Sequence, residues 1–143
     1  MKRTLKSNKG FSLVELIVVV LIMAIIAVAL APQVMKWVGH SRTSTDANTY
    51  DTLYENIQLA LADENVLAEV TSDITFTISS SGTTATLGTN FEAKMNEICG
   101  ANWTTKVKKK DAAGSDYVIT VKYNSGNINV DRTTEPSTDK VKQ

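Results

Sequence analysis

Cysteine is almost absent from this chain. Cys99 is the single one in 143 residues, so no intrachain disulfide can form and the fold must hold by packing alone. Histidine is equally scarce: His40 stands alone, which leaves no histidine pair for a metal and no dyad partner for a nucleophile. A phosphate-cradling glycine loop is missing too. The charges balance, with 15 Lys and Arg against 15 Asp and Glu, so there is no net electrostatic drive toward nucleic acid. These absences point away from an enzyme, and no cofactor, metal or specific nucleic-acid partner is expected.

What the chain does have is one long apolar run. From Phe11 to Ala31 there are 21 residues, of which only Ser12 and Glu15 are polar. A helix of that length spans roughly 31 Å, the thickness of a bilayer core of about 30 Å. The residues before it hold Lys2, Arg3, Lys6 and Lys9 and no acid, a bias that keeps the N-terminus cytoplasmic and sends the 112 residues from Pro32 to Gln143 outside. Glu15 is the anomaly in the run. An acid inside a membrane helix costs on the order of 2.5 to 3.5 kcal/mol, so it calls for a partner or a function, unless it sits at headgroup level.

The stretch Gly10-Phe11-Ser12-Leu13-Val14-Glu15-Leu16 resembles the cleavage and methylation motif of type IV prepilins and pseudopilins. The resemblance implies removal of residues 1–10 by a membrane prepilin peptidase cutting between Gly10 and Phe11, then N-methylation of Phe11. It implies that Glu15 pairs with the terminal amine of a neighbouring subunit during assembly. It also implies that the run containing Leu16, Val20, Ile25 and Ala31 becomes the filament core, and that Pro32 falls where many pilins carry a helix-loosening proline. The absence of a cysteine pair departs from many Gram-negative pilins and is closer to those of Gram-positive bacteria. Physical chemistry agrees with the pairing: a carboxylate withdrawn from water needs an opposite charge, and a cut after Gly10 creates one. Loss of the leader leaves 11 Lys and Arg against 15 acids, a side-chain balance of −4.

Two other readings of the N-terminus remain. Ala29-Leu30-Ala31 offers a small-x-small site for an ordinary secretory signal, although Pro32 would follow the cut directly. A plain single-pass anchor is the other, and it leaves Glu15 unexplained.

Beyond the run, the segment from Gln33 to Thr49 is polar and small and reads as exposed or frayed helix. Tyr50, Leu53, Tyr54, Ile57 and Leu61 then mark one helical face, so a single helix is expected from about Phe11 to about Glu64. Strands are expected at Ile74–Ile78, Thr84–Leu87, Thr104–Lys109, Tyr117–Tyr123 and Ile128–Arg132, with a short helix at Asn90–Cys99 capped by Thr89 or Asn90. In the fourth strand Tyr117, Ile119, Val121 and Tyr123 should face the helix. The fold class is therefore α+β: a long N-terminal helix whose upper half packs on a small antiparallel sheet, as in the type IV pilin fold. The organisation reads as a leader over residues 1–10, a transmembrane or filament-core helix over 11–31, an extracytoplasmic domain over 32–132 and a disordered tail over 133–143.

Minor constellations read as structural. Lys106, Lys108, Lys109 and Lys110 suit an edge strand guarded by lysines rather than a polyanion site. Asp131, Glu135 and Asp139 lack the spacing of an ordered calcium cage. Asn102-Trp103-Thr104 matches a glycosylation acceptor. The chain thus reads as a membrane-inserted pilin precursor that partners with prepilin peptidase, the assembly machinery, membrane lipid, other pilins and copies of itself, ending in a surface filament. A pseudopilin of a secretion or competence machine is the alternative, and a non-polymerising membrane-anchored adhesion module is the alternative from another class.

Overall fold

The computed structural model describes residues 10–137, so the greater part of the leader and residues 138–143 lie outside the described residues. Helix α1 runs from Leu13 to Leu61, with Pro32 inside it. The chain divides between Val38 and Gly39 into two units.

In the first unit, α1 is apolar on every side from Leu16 to Ala31, and among the described residues nothing covers that stretch; its richest 18-residue window has a mean hydropathy of 3.2. A helix hydrophobic all round belongs inside a membrane or a large core. Pro32 has no amide hydrogen to offer the Val28 carbonyl one turn below, so the helical ladder has a gap there.

In the second unit the same helix becomes amphipathic. Thr43, Asp46, Tyr50, Leu53, Ile57 and Ala60 are its buried residues. Their spacing alternates three and four, which keeps one stripe turned toward the core. The segment around Thr43 and Asp46 is therefore neither exposed nor frayed, because Asp46, only 1% exposed, finds hydrogen-bond donors outside the helix. Tyr54 and Leu61 pack at the margin of the core rather than inside it.

The helix stops at Leu61, and a separate short helix α2 (Glu64–Glu69) follows, capped by the Asp63 side chain, which accepts from the Asn65 amide. Strand β1 (Ile74–Ile78) lies where the alternation of Ile74, Phe76 and Ile78 puts it. Strand β2 is only Thr83–Thr84, shorter than the return strand expected over Thr84–Leu87. Helix α3 (Thr89–Cys99) starts from Gly88 rather than from Thr89 or Asn90, with no side-chain cap of its own. The expected strand at Thr104–Lys109 is absent: Trp103–Lys106 forms a single helical turn, α4, and a loop follows. Trp103 is 2% exposed, and anchoring that large ring in the core holds the chain in a turn, so the segment meets the β2 end of the sheet through the Thr83 hydroxyl and the Ser79 carbonyl instead of pairing as a strand.

Strands β3 (Tyr117–Asn124) and β4 (Asn127–Thr134) complete an antiparallel sheet in the order β2-β1-β3-β4. Their hairpin closes through Ser125 and Gly126, both at positive φ (49° and 96°). Two left-handed residues in a two-residue loop match the right-handed twist of paired strands. Strand β4 continues to Thr134, opposite Val118, and Pro136 is buried, so an ordered stretch extends into what composition suggested was a disordered tail.

The core is one cluster. Tyr50, Leu53 and Ile57 of α1 meet Phe76 and Ile78 of β1, Ile119 and Val121 of β3, and Phe91 and Met95 of α3. Tyr117, Ile119 and Val121 are buried as the alternation of β3 requires, with Tyr123 half-buried at the end. The Phe76 ring meets that of Phe91 edge-on, with centroids 5.9 Å apart.

Candidate functional site

The N-terminal stretch is built around the first turn of α1. Gly10 and Phe11 precede the helix outside any regular element, and Phe11 is 94% exposed. Ser12 is the pivot: its carbonyl accepts the Leu16 amide at 3.2 Å, and its own amide donates to Glu15 Oε2 at 2.8 Å. That second bond is the carboxylate half of a capping box, in which an acid in the first turn reaches back to the capping amide. Glu15 also lies at the positive end of the helix dipole. Its carboxylate is thus held close to the backbone that a cut after Gly10 would expose as an amine.

Magnitudes favour a spanning segment. Between Leu16 and Ala31 there are eleven Leu, Ile and Val residues. At about 0.3 to 0.6 kcal/mol each, they favour insertion by roughly 3 to 7 kcal/mol. Most of that range exceeds the penalty of about 2.5 to 3.5 kcal/mol for a single acid at the bilayer centre, and Glu15 sits at the end, where the penalty is smaller. Leu16, Val20, Ile25 and Ala31 are all exposed, with Ile25 on the side of the helix opposite the other three. The structure places Glu15 beside Ser12, four residues from Phe11, whereas Pro32 stands apart as a gap in the ladder higher up.

The second unit carries several polar clusters. Asp46 Oδ1 accepts the Lys110 amide at 2.5 Å, while Oδ2 accepts the Asp111 amide at 2.9 Å and the Tyr117 hydroxyl at 3.4 Å. Lys109 is buried, not part of a surface patch. Its Nζ donates to the carbonyls of Gly114 and Ser115 at 2.8 and 3.0 Å and lies 5.3 Å from the Tyr117 ring centroid. Together they pin loop 109–116 to α1. Burial, aided by the nearby Asp46 charge, pushes the Tyr117 hydroxyl up to about 12; burial does the same to Tyr50.

Cys99 lies on an open groove of about 450 Å³ lined also by Thr45, Asn48, Thr52 and Asn56. Its Sγ accepts from Asn56 Nδ2 at 3.3 Å, and burial pushes the thiol's pKa up, which keeps it protonated rather than nucleophilic. Asp131 is held by Lys122 at 2.6 Å and Glu135 faces Arg132 at 3.6 Å, so neither offers a free ligand set; Asp139 lies outside the described residues. The Asp46 anchor was not visible from the sequence, because it depends on backbone amides 64 and 65 positions along the chain.

Residues 5–31 match the family model of the prokaryotic N-terminal methylation motif, the leader signature of type IV pilins and pseudopilins. No curated protein and no solved structure matches the chain. A methylation motif opening a long apolar helix, with a small antiparallel sheet on the upper helix, is a type IV pilin-like architecture, and the motif supports a pilin-like or pseudopilin precursor. Such a motif implies processing by a prepilin peptidase, membrane insertion of the precursor and assembly with other pilin subunits.

Proposed function

We propose that the mature chain is a non-enzymatic structural subunit of a type IV pilus. The precursor is inserted with its N-terminus in the cytoplasm, cut between Gly10 and Phe11, and N-methylated on Phe11. Subunits then polymerise by repeating one head-to-tail contact that does not close on itself. The apolar segments from Leu16 to Ala31 leave lipid for one another, and the filament emerges on the cell surface to serve adhesion, motility or DNA uptake.

One observation carries this reading: the methylation motif ends in a helix whose sole acid before Asp46, Glu15, is already turned toward the N-terminal backbone. Once the amine on Phe11 exists, the exposed Glu15 carboxylate has a cation to pair with when assembly withdraws it from water, on its own chain or on the next subunit. An uncompensated buried charge costs about 3 to 5 kcal/mol. That magnitude is enough to decide whether subunits join.

Mass spectrometry of the purified protein tests the processing. N-methyl-phenylalanine at Phe11 is the expected N-terminus; an intact Met1, or a start at Pro32, would overturn the assignment. Glu15→Gln should abolish filaments while leaving the precursor in the membrane, and unchanged filament yield would remove the role given to Glu15. Microscopy for long fibres containing this chain separates a pilus subunit from a pseudopilin, which shares the same motif.

A further inference from the structure

The apolar run does not end where the uninterrupted hydrophobic stretch ends. Above Pro32 the helix carries Val34, Met35, Trp37 and Val38, all large and all exposed, with Lys36 among them. Trp37 is 64% exposed, whereas the other tryptophan, Trp103, is 2% exposed in the core. An isolated exposed apolar residue needs no explanation. Four of them in five positions, continuing directly from a segment read as membrane-spanning, do.

Helix arithmetic places them. Counted from Leu13, a hydrocarbon layer of about 30 Å is crossed near Gln33 at about 1.5 Å per residue. Trp37 comes about 6 Å higher, inside a headgroup layer that is itself about 5 to 7 Å deep on each side. Leu30, Val34, Trp37 and Val38 follow the four, three, one spacing of a single helix face, and Lys36 projects on the other side. An indole suits this depth because its ring is apolar and its N–H can donate to a phosphate or carbonyl ester. A lysine one residue below can lay its methylenes along the acyl chains and raise its ammonium to the phosphates.

We infer that Trp37 and Lys36 form a phospholipid-headgroup anchor that fixes the depth of the stored precursor in the outer leaflet. The inference rests on the membrane-spanning reading of Leu13–Ala31 and adds a second contact to it. The anchor sets how far Glu15 sits below the opposite surface: with Trp37 held in the outer headgroups, Ser12 and Glu15 fall at the inner boundary, where peptidase chemistry has water. The occupant is phospholipid, because the chemistry on this turn is an aromatic ring with one donor beside one cation, continuous with an apolar span.

Tryptophan quenching in the full chain tests this. The protein is reconstituted in phosphatidylcholine and phosphatidylglycerol vesicles with bromine either just under the headgroup or deep in the acyl chain; Trp37→Phe gives the Trp103 baseline. Trp37 emission should be quenched about twofold more by shallow than by deep bromine, the contrast expected between interface and hydrocarbon centre. Ile22→Trp in the Trp37→Phe background reports the span itself and should show the opposite order. If Ile22→Trp is quenched by deep bromine while Trp37 answers only to aqueous acrylamide, or is itself quenched best by deep bromine, the anchor is refuted and the span stands. If Ile22→Trp escapes both lipids, the membrane reading fails and the anchor with it.

Discussion

Glu69 accepts the backbone amide of Phe91 through Oε2 at 2.9 Å, and its Oε1 takes the Asn90 amide at 3.3 Å. A carboxylate from α2 thereby does for α3 what a serine or aspartate at the cap position usually does, and adds charge at the positive end of the helix. Gly88, the cap residue, is small for that reason: a Cβ there would overlap the Glu69 carboxylate. Glu69→Ala should destabilise the domain by about 1 to 2 kcal/mol. Gly88→Ala should cost a similar amount by pushing the carboxylate away. Since both act on one contact, the double variant should fall well short of the sum. Denaturant unfolding of the detergent-solubilised chain, followed through Trp103, measures all three.

Asp46 poses a larger test. It is 1% exposed and has three donors aimed at it, from Lys110, Asp111 and Tyr117. Asp46→Ala leaves those donors facing an apolar gap, and bonds to a charged group are worth about 1.5 to 3 kcal/mol each at most. A loss of about 2 to 4 kcal/mol is expected. Hydrogen exchange should locate it, with protection falling at the amides of Lys110 and Asp111 before it falls in β3.

Elements with local causes show in the sequence, and contacts with distant causes do not. Strands β1 and β3 were legible because Ile74-Phe76-Ile78 and Tyr117-Ile119-Val121 alternate with their own period, whatever they pack against. The N-terminal motif was legible because its spacing lies within seven residues. Thr104–Lys109 offers β-branched Thr104, Thr105 and Val107, yet it folds as a helical turn and a loop, since the burial of Trp103 and a hydrogen bond from Thr83 Oγ1 to the Val107 carbonyl at 2.6 Å override that local preference. Asp46 read as a solvated residue in a polar stretch because the amides that hold it lie 64 and 65 positions away. Glu69 was missed for the same reason, its partners being 21 and 22 positions on.

Alkaline pH should loosen the domain through its tyrosines. Tyr50 and Tyr117, whose rings meet edge-on at 6.4 Å, both have hydroxyls pushed up to about 12 from 10.0. The folded state therefore keeps protons that the unfolded state has released. Their stabilising contribution is fully present below about pH 10 and is lost as pH rises toward about 12. Absorbance of tyrosinate should show Tyr50 and Tyr117 titrating late, and Tyr117→Phe should remove one late step and flatten the fall in unfolding midpoint across that window.

Arg132 ties β4 to α1, and the size of each contact indicates which matters. Its guanidinium lies 4.3 Å from the Tyr54 ring centroid and 5.8 Å from that of Tyr50, and Nη1 donates to Asp51 at 2.6 Å. The ion pair is half-exposed, where such pairs contribute about 0 to 1 kcal/mol and are screened by salt. Stacking of the planar cation on tyrosine adds about 0.5 to 2 kcal/mol and is screened less. Asp51→Ala should therefore cost no more than about 0.5 kcal/mol and lose its effect in high salt. Arg132→Ala should cost about 1 to 2 kcal/mol in either buffer. Arg132→Lys separates the two terms, because it keeps the charge opposite Asp51 and gives up the flat stack on Tyr54; it should behave more like the alanine variant than like wild type. Equal stability of Arg132→Lys and wild type would assign the tie to charge alone.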